Sequence, residues 1–238
     1  MRQNATVGER TVFIAGAYEF VSDNGEQPNA KAWAPLVRAF ERLRYSAGSL
    51  SPDEAKAMAD HGVQPPANWL TLSDKDVQTT LLETPHGKLG VVFFPMLKNP
   101  KAQPSEDTLQ KVDREVARLR STVSLVVGVS PWGQESESYY LENAKTPPDV
   151  LLGSGPGVGF MARPEVSGRV LWMHTYNKGK AIYSLDVLQW PAAKGFKWEM
   201  GTSFTTQALI LDTSYPADTE VDAVFTGIPD LTDTHENK

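Results

Sequence analysis

The chain has 238 residues, 40% hydrophobic and 22% charged, with no cysteine, four histidines and a formal net charge of −6. Such a chain is long enough to build a core without disulfides or a structural metal, and the missing cysteine removes thiol nucleophiles, thiolate zinc sites, iron–sulfur clusters and redox pairs. Its 23 basic residues are dispersed, which argues against a nucleic-acid partner.

The longest apolar run, about 89–97, is interrupted by Pro95 and falls short of the roughly 18 residues of a membrane span. The first twelve residues lack an apolar secretory core, so the chain reads as cytoplasmic or as a mature form shown without its leader. Residues 1–10 are expected to be an N-terminal extension and 229–238 a polar tail. Between them, residues 11–228 show no repeat, no low-complexity tract and no composition break, and one domain is expected.

Thr11 to Ala15 is a short β-branched run ending at Gly16, a buried strand. Residues 22–29 are turn-rich. Trp33, Leu36, Val37, Phe40 and Leu43 then recur at helical spacing, with Pro35 in the first turn. Ser51, Pro52, Asp53 and Glu54 supply an N-cap, an N1 proline and first-turn acids, opening a helix that stops at His61 and Gly62. Val77 to Glu83 and Lys88 to Phe94 flank a polar turn and predict a hairpin. Ser105 caps a helix to Arg120, buried through Leu109, Val112, Val116 and Leu119. Val123 to Val129 is a strand covered on both faces. A helix over 136–144 and a strand over 149–152 complete a parallel crossover. Arg169 to Tyr176, Lys180 to Trp190 and Ser203 to Asp212 follow without intervening helices and predict antiparallel strands. The fold class is α/β with a mixed sheet.

Two strand ends carry the candidate chemistry. Gly153-Ser154-Gly155-Pro156-Gly157 invites comparison with a phosphate cradle, but a dinucleotide site needs a helix directly behind its glycines, and Phe160 to Pro164 starts none. A plain loop is the preferred reading. Ser130-Pro131-Trp132-Gly133 ends the preceding strand; Trp132 reads as a hydrophobic lid, and Ser130 has no base nearby in sequence to activate it. His174 lies within a strand and reads as a satisfied sheet histidine. His61, His86 and His235 read as solvated, and Glu19, Asp53 and Glu54 as caps or solvated faces.

In the order of its pieces, residues 11–228 resemble the catalytic domain of the 5′-nucleotidase, UshA-like branch of the calcineurin-type metallophosphoesterases. VSLVVGVSPWG, ending at Gly133, resembles the family's strand ending in serine-histidine-leucine-glycine, with Pro131 at the histidine position. DVLLGSGPG, ending at Gly157, resembles the strand ending in glycine-glycine-histidine-threonine-histidine, with Gly155 and Gly157 at both histidine positions. FIAGAYEF resembles the strand with aspartate-x-glycine-aspartate; Ile14 and Ala17 replace the aspartates and Gly16 survives. Gly48-Ser49-Leu50 stands where the family has glycine-asparagine-histidine. Three further stretches, LETPHGKLGVVFFP, RVLWMHTYNKGKAIYSLDV and ALILDTSYPADTEVDAVFTGI, resemble scaffold pieces of the same domain.

The resemblance implies a single-domain, mixed-sheet αββα sandwich of the metallophosphoesterase type, in an exported, periplasm-like setting or else the cytoplasm. Prolines and glycines supply no metal ligand, so the expected protein is catalytically degenerate: no catalytic residue, no metal, no cofactor. It would bind a small ligand or a protein partner in a cleft of Gly16, Glu19, Ser130, Trp132, Gly133, Gly153, Ser154, Gly155 and His174, with neither nucleic-acid binding nor membrane insertion. The alternative is an active metal-dependent phosphoester hydrolase with a rearranged site drawing on Glu19, Asp23, Asp53 and His174.

Overall fold

A short β-branched run followed by two helices, the second capped by Ser51, gives the first part of the chain its layout. The computed structural model describes residues 11–99, 102–175, 181–191 and 195–228; the expected extension 1–10, the tail 229–238 and His235 lie outside them. β1 (Ile14–Ala15) is followed by α1 (Trp33–Leu43), β2 (Ala47–Leu50), α2 (Pro52–Asp60) and β3 (Trp69–Thr71), a strand that its three-residue length hid in the sequence. The three strands pair in parallel in the order β1-β2-β3, with Ala15 opposite Gly48 and Gly48 opposite Trp69. Their core is aromatic: Phe20 lies 4.7 Å from Phe40, and Trp69 meets Phe20, Phe40 and Tyr45 edge-on.

Glu54 does more than cap α2. It completes a capping box, accepting the Ser51 N–H at 2.7 Å while Ser51 Oγ accepts the Glu54 N–H at 3.2 Å. Its side chain is fully buried, and it also accepts the N–H groups of Tyr18 at 3.0 Å, Phe20 at 2.9 Å and Val21 at 3.4 Å. The loop after β1 therefore hangs on this carboxylate. Tyr18 sits in it at φ 77, a conformation disfavoured for a side-chain-bearing residue that the Glu54 bonds offset.

From residue 72 the chain builds a larger sheet. β4 (Gln78–Thr84) and β5 (Gly87–Phe93) form the expected hairpin, α3 (Glu106–Arg120) starts at the Ser105 cap, and β6 (Leu125–Ser130), α4 (Gln134–Asn143) and β7 (Val150–Gly153) form the parallel crossover. β8 (Phe160–Glu165) and β9 (Val170–His174) make a second hairpin, turning through Val166, Ser167 and Gly168 at positive φ. The six strands run β4-β5-β6-β7-β9-β8. β5, β6, β7 and β9 are mutually parallel, while β4 and β8 lie antiparallel at the edges. β10 (Ala181–Val187) and β11 (Phe204–Ile210) form a separate antiparallel pair.

Two strand readings are corrected. β9 was expected among antiparallel strands but joins β7 in parallel, because the unforeseen β8 carries the chain back across the sheet before β9 begins. β8 itself was hidden by its content: it follows a glycine-rich run, contains Pro164 and shows no clean alternation, tolerable for an edge strand. α3 and α4 cover one face of the sheet with Leu109, Val112, Val116, Leu119, Tyr140 and Leu141. At the sheet's other end Asp149 ties three elements, bonding Arg120 at 2.7 Å and the Val126 N–H at 2.8 Å while its carbonyl accepts the Trp198 indole N–H at 3.0 Å.

The last described element is α5 (Thr219–Val224), capped by Asp218 and ion-paired from Glu220 to Arg42 of α1. Although no composition break marks a linker, the chain divides into two compact units: Leu72–Ser214 carries the six-stranded sheet and the β10-β11 pair, and Val12–Thr71 with the described residues from Tyr215 carries the three-stranded one. Among the described residues no helix is long and apolar enough to cross a membrane.

The Glu54 bonds give a test. Replacing Glu54 by Ala strands four backbone donors, three of them in the loop after β1, and is expected to cost about 3 kcal/mol. Hydrogen exchange should show protection lost first at the amides of Tyr18, Phe20 and Val21; unchanged protection there would contradict the account.

Candidate functional site

The ends of β6, β7 and β9 stop at one level, because register sets Ser130 opposite Gly153 and Gly153 opposite His174. These C-terminal ends of parallel strands are where open α/β sheets bind ligands. Here the position is filled from within. Glu137, in the first turn of α4, is fully buried, and its Oε2 accepts the Trp172 indole N–H at 2.9 Å. His174, also fully buried, holds its Nε2 3.9 Å from Glu137 Oε2, and its Nδ1–H donates to the Thr175 carbonyl at 3.2 Å. Among the described residues neither His174 Nε2 nor Glu137 Oε1 has a hydrogen bond of ordinary geometry.

This arrangement depends on Gly153. A Cβ there would come within 2.1 Å of Glu137 Oε2 and 2.6 Å of the His174 ring, so the carboxyl occupies the volume a side chain would take. Gly133, the N-cap of α4, has φ 81, and a Cβ on it would lie 2.5 Å from the Pro156 carbonyl oxygen.

The glycine loop closes against the start of α4 through backbone bonds. Ser154 N–H and Oγ–H both donate to the Ser130 carbonyl, at 2.8 and 3.0 Å. Gly133 N–H donates to the Ser154 carbonyl at 3.0 Å and Gln134 N–H to that of Pro156 at 2.8 Å. The N–H groups of Gly133 and Gln134 at the start of α4, which an anion there would use, are thus engaged by loop carbonyls. The loop leads into β8 rather than a helix, as the preferred plain-loop reading requires.

Burial sets the charge state of the pair. It pushes the Glu137 carboxyl from 4.5 up to about 8, while the Trp172 indole, the Ser130 hydroxyl and Gly133 pull it down more weakly. Burial also lowers His174 below its ordinary 6.5, against a smaller opposing effect of the Thr175 carbonyl. Near neutrality both groups are uncharged in the fold.

The expected cleft residues divide between the two units. Ser130, Trp132, Gly133, Gly153, Ser154, Gly155 and His174 belong to the larger unit, Gly16 and Glu19 to the smaller. Ser130 is fully buried, its Oγ accepting the Trp132 N–H at 3.2 Å. Trp132 is the lid its sequence suggested, packed on Phe94 and Tyr140 with its indole N–H donated to the Pro95 carbonyl at 2.6 Å. His174 lies within β9 as read, but among the described residues its Nε2 has no hydrogen-bond partner. His61 is exposed, as read, and its ring stacks on Trp33. Of the acids in the rearranged-site alternative, Glu19, Asp23 and Asp53 are exposed in the smaller unit, whereas His174 is buried in the larger. Among the described residues no group of three or more His, Asp or Glu is positioned to hold a metal ion.

An open cleft of about 690 Å³ does lie beside the strand ends, between α4, the glycine loop and β8. Trp132, Gly133 and Gly157 reach it, together with Arg163, Trp172 and Glu142, which the sequence reading missed. Glu137 was missed as well. Its signal was present: it lies in phase with Tyr140, Leu141 and Ala144, a carboxyl on the apolar stripe of a helix.

No family model matches the chain, and no curated protein matches it.

Two outcomes follow from the buried pair. With a folded pKa above the unfolded one, Glu137 contributes stability that is full below about pH 4.5 and lost as pH rises through about 8. Glu137→Gln should therefore flatten denaturation midpoints over that window and exceed the parent's stability at about pH 9; a parent-like pH profile would contradict the assignment. Gly153→Ala should cost about 3 kcal/mol by overpacking, read by chemical denaturation, and a neutral result would contradict the close approach.

Proposed function

We propose that this chain is a catalytically degenerate protein of the metallophosphoesterase fold, related to the 5′-nucleotidase, UshA-like branch, that acts as a binding module for a small ligand or a partner segment. The observation that carries this reading is the chemistry at the ends of β6 and β7. Where the resembled family has histidines, this chain has Pro131, Gly155 and Gly157, and the volume beside Gly153 is taken by the Glu137 carboxyl. A two-metal centre needs carboxylates, imidazoles and an amide converging on two cations roughly 3.5–4 Å apart. The residues present do not fit such a centre, and no hydrolytic step is derived through one.

The cleft of about 690 Å³ supports the binding half of the reading. It is of a size that takes small molecules, with aromatic and polar groups on its walls. An exported setting accompanies the family reading.

Metal binding and hydrolysis test the proposal together. Equilibrium dialysis against Mn²⁺ and Zn²⁺, with assays on bis-p-nitrophenyl phosphate and 5′-AMP, should show no stoichiometric pair of tightly bound cations and no turnover above buffer. Two bound cations per chain with phosphoester hydrolysis would overturn it.

A further inference from the structure

The cleft of about 690 Å³ adjoins a second of about 330 Å³, and four residues line both: Ser138 and Glu142 of α4, Arg163 of β8 and Trp172 of β9. This saddle carries one cation and one anion. Arg163 is held in place by packing: its guanidinium lies 4.2 Å over Phe160 and 4.7 Å over Trp172, and its Nε pairs with Glu165 at 3.0 Å. Stacked and tied at Nε, it keeps its planar Nη fork for a carboxylate. Among the described residues the Nη atoms have no hydrogen-bond partner and Glu142 has no ion-pair partner, so the two unlike charges do not neutralise each other.

Glu142 also stands in the last turn of α4, which contains no basic residue. The helix dipole disfavours a carboxylate there and favours a cation beside it. A lone anion would meet Glu135 in the first cleft and Glu165 in the second, whereas a ligand of both signs leaves the local balance unchanged.

We propose that this saddle binds a small zwitterion of the α-amino acid class, its carboxylate on the Arg163 fork and its ammonium on Glu142. The inference rests on the reading of the cleft as a binding site, and names the ligand class that site takes.

Calorimetric titration with glycine, L-leucine, L-phenylalanine and L-glutamate, with propionate and ethylamine as single-charge probes, tests it. At least one amino acid should saturate below about 10 mM and bind at least about tenfold more tightly than either single-charge probe. Glu142→Gln, an exposed change that leaves packing intact, and Arg163→Gln should each weaken binding by about tenfold or more, with Arg163→Lys in between. Saturation by no amino acid, equal binding of propionate, or binding indifferent to Glu142→Gln would overturn the proposal. Those results leave the degenerate reading standing, because that reading fails on metal binding and hydrolysis instead.

Discussion

A carboxyl group buried beside a glycine organises the larger unit. Glu137 can enter the end of the sheet only because Gly153 has no side chain, and once there it faces the Trp172 indole and the His174 ring. Burying a charge in such a place is costly, and the group responds by holding its proton. The start of α4, the glycine loop and the ends of β6, β7 and β9 are then fixed around a neutral carboxyl rather than around a ligand. The smaller unit solves a similar problem differently: Glu54, equally buried, accepts four backbone N–H groups and so anchors the loop after β1.

Much of the scaffold was legible because local signals were strong. Ser51 and Ser105 mark helix starts by caps that work through their own hydroxyls, and the 84–87 turn between alternating runs announces a hairpin. β3 and β8 were not legible, since three residues carry no period and Pro164 reads as a strand breaker away from an edge. The parallel pairing of β9 was hidden for a related reason: whether a strand runs parallel depends on what lies between it and its neighbour, and β8 was unseen.

The candidate site was legible in part. Ser130, Gly133 and Gly153 lie at the ends of the adjacent parallel strands that two β-branched runs foretold, and His174 joins them only through the parallel pairing of β9, which was not read. Gly16 and Glu19 belong to a different unit, and no local signal distinguishes a glycine at one strand end from a glycine at another. Arg163 escaped because it looks like a solvated charge in sequence, and Glu137 because its place on the apolar stripe of α4 does not say what it meets. Their roles come from long-range packing on Trp172, Phe160 and Gly153, which the amino-acid order alone does not display.

The most direct measurement is a carboxyl ¹³C titration of Glu137 by nuclear magnetic resonance, with and without divalent cations. The account predicts a midpoint near 8, far above the ordinary 4.5, and no change when Mg²⁺ or Zn²⁺ is added. A midpoint near 4.5, or a resonance that moves stoichiometrically with metal, would contradict the claim that this carboxyl fills the strand ends as a neutral structural group.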